Sequence, residues 1–224
     1  MKKNCLLCFL LFFSCHSALA GESLDSLLNV LDKTIKEADT YVQIKENKLH
    51  ELKKEARKTP PVSVERYHLN NDIYLEYKVY SSDSALHYLN ENMLLARQLN
   101  DKERELKIQL ELSYLLSSIG MYMEAADILN SIDRQTLPSS LLGHYYTCYE
   151  HVYFEAGAAQ PRYKMFASRY AKLSHAYRDS MQVTLDPSSA TYLWLRETQL
   201  REAGKYDEAL EFSDRRLAEA SFGT

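Results

Sequence analysis

His144 and His151 lie seven residues apart with Glu150 beside them, a grouping of imidazoles and a carboxylate that could hold a metal or move a proton. Seven residues is two helical turns, so both rings share one face, whereas chelation from adjacent turns of one helix needs a spacing of three or four. The spacing therefore predicts a surface or groove-lining pair, not a metal site. Nothing resembles G-x-S-x-G, a phosphate-cradling glycine loop or H-E-x-x-H, and six glycines in the chain leave little loop in which to build one. No catalytic residue, metal or cofactor is expected, and the chemistry left to the chain is binding. Cys148, flanked by Tyr145, Tyr146 and Tyr149, reads as a small buried hydrophobe, not a nucleophile. Seventeen tyrosines stand against one tryptophan. Tyr163, Tyr170 and Tyr177 recur at heptad steps, and Tyr145, Tyr149 and Tyr153 at steps of four. Such rings either line a core with the hydroxyl at its wet edge or form an aromatic face for a ligand.

The element that must position these groups is the stretch Leu112 to Asp133, which reads as a helical hairpin. Gly120 can take the positive φ that closes a helix, and the apolar periodicity resumes immediately after it. Leu112, Leu115, Leu116 and Ile119 mark one face, and Ala125, Ile128, Leu129 and Ile132 mark the face that meets it. Helices about 8–10 Å apart need a small side chain at closest approach, which Ala125 supplies. The pattern recurs 84 residues later, where Gly204, Tyr206, Glu208 and Ala209 answer Gly120, Tyr122, Glu124 and Ala125. Ala167 stands midway and Ala85 lies 40 residues before Ala125, giving spacings of 40, 42 and 42. Periods of that length indicate stacked helical repeats, so the chain is expected to be all-α, an α-solenoid of about four hairpins.

Gly120, Tyr122, Glu124 and Ala125, with Gly204, Tyr206, Asp207, Glu208 and Ala209, resemble the G-x-Y-x-E-A core of tetratricopeptide repeats. The family repeat is about 34 residues. The longer spacing here points to extended helices or loops. Where the family has a large aromatic early in the first helix this chain has Gln109, and the small residue facing Ala125 is Ser113. More broadly the chain resembles the N-terminal extracytoplasmic part of bacterial envelope regulators, in which such hairpins precede a membrane span and a cytoplasmic signalling segment. The resemblance implies a concave groove built from the first helix of each hairpin. Its positions map onto Tyr67, Asn70, Tyr74 and Lys78 in hairpin one, Lys107, Glu111 and Tyr114 in hairpin two, and Trp194 and Arg201 in hairpin four. Hairpin three is too irregular for the same mapping. The mix of aromatic platforms and charged ends suits an extended peptide or protein segment. Trp194 reads equally as a buried anchor beside Leu193 and Leu195.

The chain opens with Lys2 and Lys3, a short apolar run from Cys5 to Phe13, and Ala18-Leu19-Ala20, the pattern of an export signal over residues 1–20. The run is too short for a stop-transfer helix. A lipidated Cys15 is the alternative, although Phe12-Phe13-Ser14 fits a lipobox poorly. Cleavage removes Cys5, Cys8 and Cys15 and leaves Cys148 alone, so core burial must hold the fold without a bridge. It also removes two lysines, moving the formal charge from -4 to -6 and disfavouring nucleic acid as a partner. The local exception is Lys45 to Lys58, where six basic residues against three acidic ones read as a solvated helix face.

Residues 21–59 are expected to form one long helix, with an apolar heptad seam at Leu24, Leu28, Leu31, Ile35, Ala38, Val42, Leu49, Leu52 and Ala56, interrupted by Lys45. The seam either lies along the first hairpin or joins two copies as a homodimer. Pro60-Pro61 ends it, and the repeat domain follows over residues 62–224. Its arms are expected at Glu65 to Tyr80 and Ala85 to Leu99, with Ser82-Asp83-Ser84 as turn and N-cap. Asp101 to Ile119 pairs with Met123 to Ile132. Leu141 to Ala156 pairs with Tyr163 to Met181, split by Gly157 to Pro161 after a connector at Leu137 to Ser140 that supplies an N-cap. Ala190 to Ala203 then pairs with Tyr206 to Ala220. A stacked array needs a polar cap on its last hairpin, so a further segment after Thr224, or a partner, is expected to cover it. Such a segment, or lipidated Cys15, would bring the chain to the membrane. The expected function is a non-enzymatic protein- or peptide-binding scaffold, the periplasmic input module of an envelope sensor. The alternative is a structural protein that oligomerises through its N-terminal helix.

Overall fold

A computed structural model of the chain describes the backbone of residues 24–221 and the side chains of residues 24–218. The export signal over residues 1–20, with Cys5, Cys8 and Cys15, lies outside them. Every regular element among the described residues is an α-helix. They divide into two units, residues up to Lys54 and residues from Glu55 onward. None of these helices is long and apolar enough to cross a membrane.

In the first unit α1 covers residues 24–36, and α2 (Ala38–Lys58) begins after a turn at Glu37 and runs into the second unit. The single long helix expected over residues 21–59 is thus divided. Along its seam Leu24, Leu28, Leu31, Ile35 and Val42 are exposed, whereas Leu49 and Ala56 are buried.

The second unit is a run of paired helices: α3 (Val64–Lys78) with α4 (Ser82–Gln98), α5 (Lys102–Ser118) with α6 (Tyr122–Ser131), α7 (Ser139–Ala158) with α8 (Lys164–Thr184), and α9 (Ala190–Glu202) with α10 (Tyr206–Ser221). The repeat register holds in backbone detail. Ala85, Ala125, Ala167 and Ala209 are each the fourth residue of the second helix of their pair. Ala85, Ala125 and Ala209 are buried and Ala167 half-buried. Opposite Ala125, Ser113 is fully buried and its hydroxyl donates to the Ala125 carbonyl at 3.1 Å. A small residue on each side lets α5 and α6 close up, and the hydrogen bond satisfies a buried hydroxyl that would otherwise cost the pair stability.

Gly120 and Gly204 have φ of +88° and +75°. The turns they close bond alike: Met121 N–H donates to Leu116 O and Lys205 N–H to Leu200 O, each at 2.9 Å, the six-to-one bond of a Schellman turn. Asn100, at φ 52°, makes the same turn between α4 and α5, with Asp101 N–H donating to Ala96 O. The 42-residue step has two sources. A connector at residues 132–138 follows the ten-residue α6, and α7 and α8 reach 20 and 21 residues.

Several boundaries differ from expectation. The N-cap of α4 is Ser81, whose hydroxyl accepts from Ser84 N–H, so Ser82-Asp83-Ser84 is already helix. Helix α7 starts behind Pro138 with no side-chain cap. Gly157 lies inside α7 and not in the interhelix turn. A Cβ there would stand 3.4 Å from the Tyr170 Cβ, so glycine lets α8 approach. Tyr163 precedes α8 and is exposed, so it does not join the heptad face of Tyr170 and Tyr177. Those two instead stack on α7, Tyr177 against Tyr149 at 4.7 Å and Tyr170 against Tyr153 at 6.1 Å. Tyr145 meets the same cluster edge-on at Tyr149 and Tyr146 meets it tilted at Tyr177, and both form part of the main core with Leu110, Leu129 and Val152. Hydroxyls sit at its rim: Tyr149 donates to Asn130 Oδ1 at 2.9 Å, and Tyr146 accepts from Arg134 Nε at 2.6 Å.

Candidate functional site

The first helices of the pairs, α3, α5, α7 and α9, contribute most of the lining of a cavity of about 550 Å³. Lys78 comes from α3, Glu111 and Tyr114 from α5, His144, His151 and Phe154 from α7, and Trp194 from α9. Arg216 of α10 closes one edge. A second cavity of about 240 Å³ shares Glu111 and His144 with the first and adds Tyr67 and Lys107.

Glu111 is the hinge of the polar network. Its Oε2 accepts from the Tyr74 hydroxyl at 2.5 Å and from Lys78 Nζ at 2.9 Å, and its Oε1 lies 3.5 Å from His144 Nε2. Burial opposes ionisation of Glu111, but Lys78, His144 and the Tyr74 hydroxyl outweigh it and hold the carboxyl below its ordinary range. The Tyr74 phenol, buried and facing that carboxylate, is pushed up and stays a donor. Lys78 also lies over the Tyr114 ring at 4.6 Å, so its charge is shared between a carboxylate and an aromatic face.

Burial drives the pKa of both histidines down, His151 to about 4, with Lys78 acting in the same direction. His144 is drawn partly back up by Glu111. Both are neutral near pH 7, so the 3.5 Å approach of His144 to Glu111 is a polar contact and Lys78 is the cation of the network. The His151 ring stacks on Tyr114 with 3.9 Å between centroids, and its Nε2 lies 2.9 Å from the Ser118 hydroxyl. Below the cavity floor Cys148 is fully buried, its thiol donating to Leu110 O at 3.3 Å; burial raises its pKa, as for a packed thiol. No group of three or more His, Cys, Asp or Glu among the described residues is placed to hold a metal ion.

Of the nine groove positions mapped from sequence, Lys78, Glu111, Tyr114 and Trp194 line the larger cavity, and Tyr67 and Lys107 line the smaller one with Glu111. Tyr74 is fully buried and touches the network through its hydroxyl alone. Asn70 is buried and lines neither cavity, and Arg201 is exposed and stands outside both, so these two are not brought to the groove. Helix α7, which the mapping leaves out, supplies the pair His144 and His151, expected from their spacing to line a surface or groove, together with Thr147 and Phe154, at steps of three, four and three. That single polar and aromatic stripe, opposite the buried Tyr145, Cys148, Tyr149 and Val152, was the signal in the sequence that could have marked it.

Residues 35–224 match a family model described as the SusR N-terminal TPR domain. No curated protein and no solved structure matches the chain.

Proposed function

The chain belongs to the SusR N-terminal TPR domain family, and from that premise we propose that its groove is the input site of an exported sensor or regulator, holding a protein or peptide segment. The tetratricopeptide fold is a protein-interaction scaffold, so a protein partner is the ground on which the finer reading stands. What carries that reading is the convergence of four first helices on one cavity around the Glu111–Lys78 pair, flanked by the Tyr114–His151 stack and Trp194. An extended segment laid along such a face meets aromatic surface for its side chains and polar groups for its backbone. The export-signal pattern at residues 1–20 supports placing the module in the periplasm or envelope.

A residue-specific photocrosslinker at Tyr114, used in native envelopes, tests this. We expect a discrete protein or peptide adduct from Tyr114 that the same probe at Arg201, outside the groove, does not give. Identical products from both positions, or none from Tyr114, would overturn it.

A second reading is structural assembly through the N-terminal helices, and the exposed Leu24, Leu28, Leu31, Ile35 and Val42 favour it. Sedimentation of the mature chain with and without residues 21–59 distinguishes the two. A monomer in both cases removes assembly and leaves the input module untouched.

A further inference from the structure

Charges lining the larger cavity pair off, with one exception. Lys78 is bound to Glu111 at 2.9 Å, Arg216 lies 3.0 Å from Glu197, and Glu150 is held by Arg178 at 2.8 Å. Glu155, whose side chain is 36% exposed, meets no cation among the described residues; its neighbour is His151, whose Nδ1 lies 4.0 Å from Glu155 Oε1.

The Ser118 hydroxyl lies 2.9 Å from both the Tyr114 carbonyl and His151 Nε2, and at 4.0 Å His151 Nδ1 is too far from Glu155 to bond it. Among the described residues the Glu155 carboxylate therefore faces the groove with neither a cation nor a close donor. It lines a cavity also walled by Phe154 and Trp194, whose ring faces carry negative potential.

We propose that the groove takes a peptide segment carrying an arginine or lysine side chain, with that cation seated on the Glu155 carboxylate beside Phe154 and Trp194. The proposal rests on the groove reading above and adds the charge of the occupant. An acidic side chain at the same place would meet an unpaired carboxylate. A neutral one would leave that carboxylate covered by the ligand without a donor, which costs binding as a repulsion does.

Trp194 is the chain's single tryptophan and lines the cavity, so its fluorescence reports on this site alone. The full mature chain is titrated with acetyl-Ala-Leu-Arg-Leu-Ala-amide and with the same peptide carrying citrulline or glutamate in place of arginine. The arginine peptide should bind at least about fivefold more tightly than the citrulline peptide, the size expected of one partly exposed ion pair with a cation–π contact. The glutamate peptide should bind most weakly, and Glu155→Gln should erase the arginine preference while circular dichroism stays unchanged. Equal binding of arginine and citrulline, a preference for glutamate, or an arginine preference that survives Glu155→Gln overturns the proposal. The groove reading outlives those results if Tyr114→Ala weakens whichever peptide binds. A Trp194 signal that answers none of the three peptides overturns both.

Discussion

His151 is held neutral by burial against Tyr114, and that makes the groove a source of pH dependence. An imidazole in the unfolded chain titrates near 6.5, and in the folded chain His151 titrates at about 4. Between those values the unfolded state binds the proton and the folded state does not. Stability is therefore full above about pH 6.5 and is lost as the pH falls toward about 4, by about 3 kcal/mol over that interval. His144 is shifted in the same direction and adds to the loss. Below the ordinary carboxylate range the lowered Glu111 adds more, since its paired form is protonated last in the folded state. Urea midpoints at about pH 7 and about pH 5 should separate, and His151→Gln should narrow the gap; an unchanged gap would remove His151 from this account. A second prediction concerns backbone alone. A Cβ at Gly120 meets nothing within 4 Å, so Gly120→Ala tests only the cost of φ +88°, expected at about 1 kcal/mol by urea unfolding. Asn100→Gly, at a φ of 52° that glycine adopts freely, should lose nothing measurable.

At the scale of the helix, the alanine positions share a register but not an environment. Ala125 is fully buried against Ser113, while Ala167 is half-buried where Gly157 already gives room between α7 and α8. Ala125→Leu should therefore cost about 3 kcal/mol through overpacking, against less than about 1 kcal/mol for Ala167→Leu, compared by thermal or urea unfolding. Equal costs would mean that the four positions do not differ in packing as described. The register was legible in the sequence because one small residue per close approach is a strict steric demand and repeats at a fixed step. Helix caps were less legible: Ser81, Ser82 and Ser84 can all cap, and only the path of the chain out of α3 selects Ser81. Of the groove, the charged and aromatic residues of α5 were legible through their register to Ala125. Asn70 and Arg201 were misplaced because a register counts residues along a helix, whereas cavity lining depends on how α3 and α9 are rotated. Helix α7 was legible only through the spacing of His144 and His151; Thr147 and Phe154 were missed because its many tyrosines blur the line between the face that packs and the face that binds.

Across the whole repeat unit the packing is uneven, and one buried ion cluster offsets that. Among the successive helices α3 to α10, α8 and α9 approach each other least, so hairpin four is joined to hairpin three by few backbone contacts. At that seam Arg178 of α8, 4% exposed, donates to Glu150 of α7 at 2.8 Å and to Glu202 of α9 at 2.8 Å. Ser174 donates to the same Glu150 oxygen, and the guanidinium lies about 6 Å from the Phe154 and Trp194 rings. One side chain thus ties three helices together directly beneath the groove. Arg178→Met leaves the buried Glu150 with the Ser174 hydroxyl and no cation, a loss expected at about 3–5 kcal/mol. Because the second carboxylate is on α9, that loss should fall first on hairpin four. Hydrogen exchange is expected to speed up in α9 and α10 while the core of α5 and α7 stays protected, as local opening in a quasi-linear stack allows. Adding Glu150→Leu to Arg178→Met removes the stranded charge and should recover most of the global stability without restoring protection of α9, whose link through Glu202 stays cut. Uniformly faster exchange over all pairs in the single variant would show instead that the unit opens as one body, and that the seam is not where it divides.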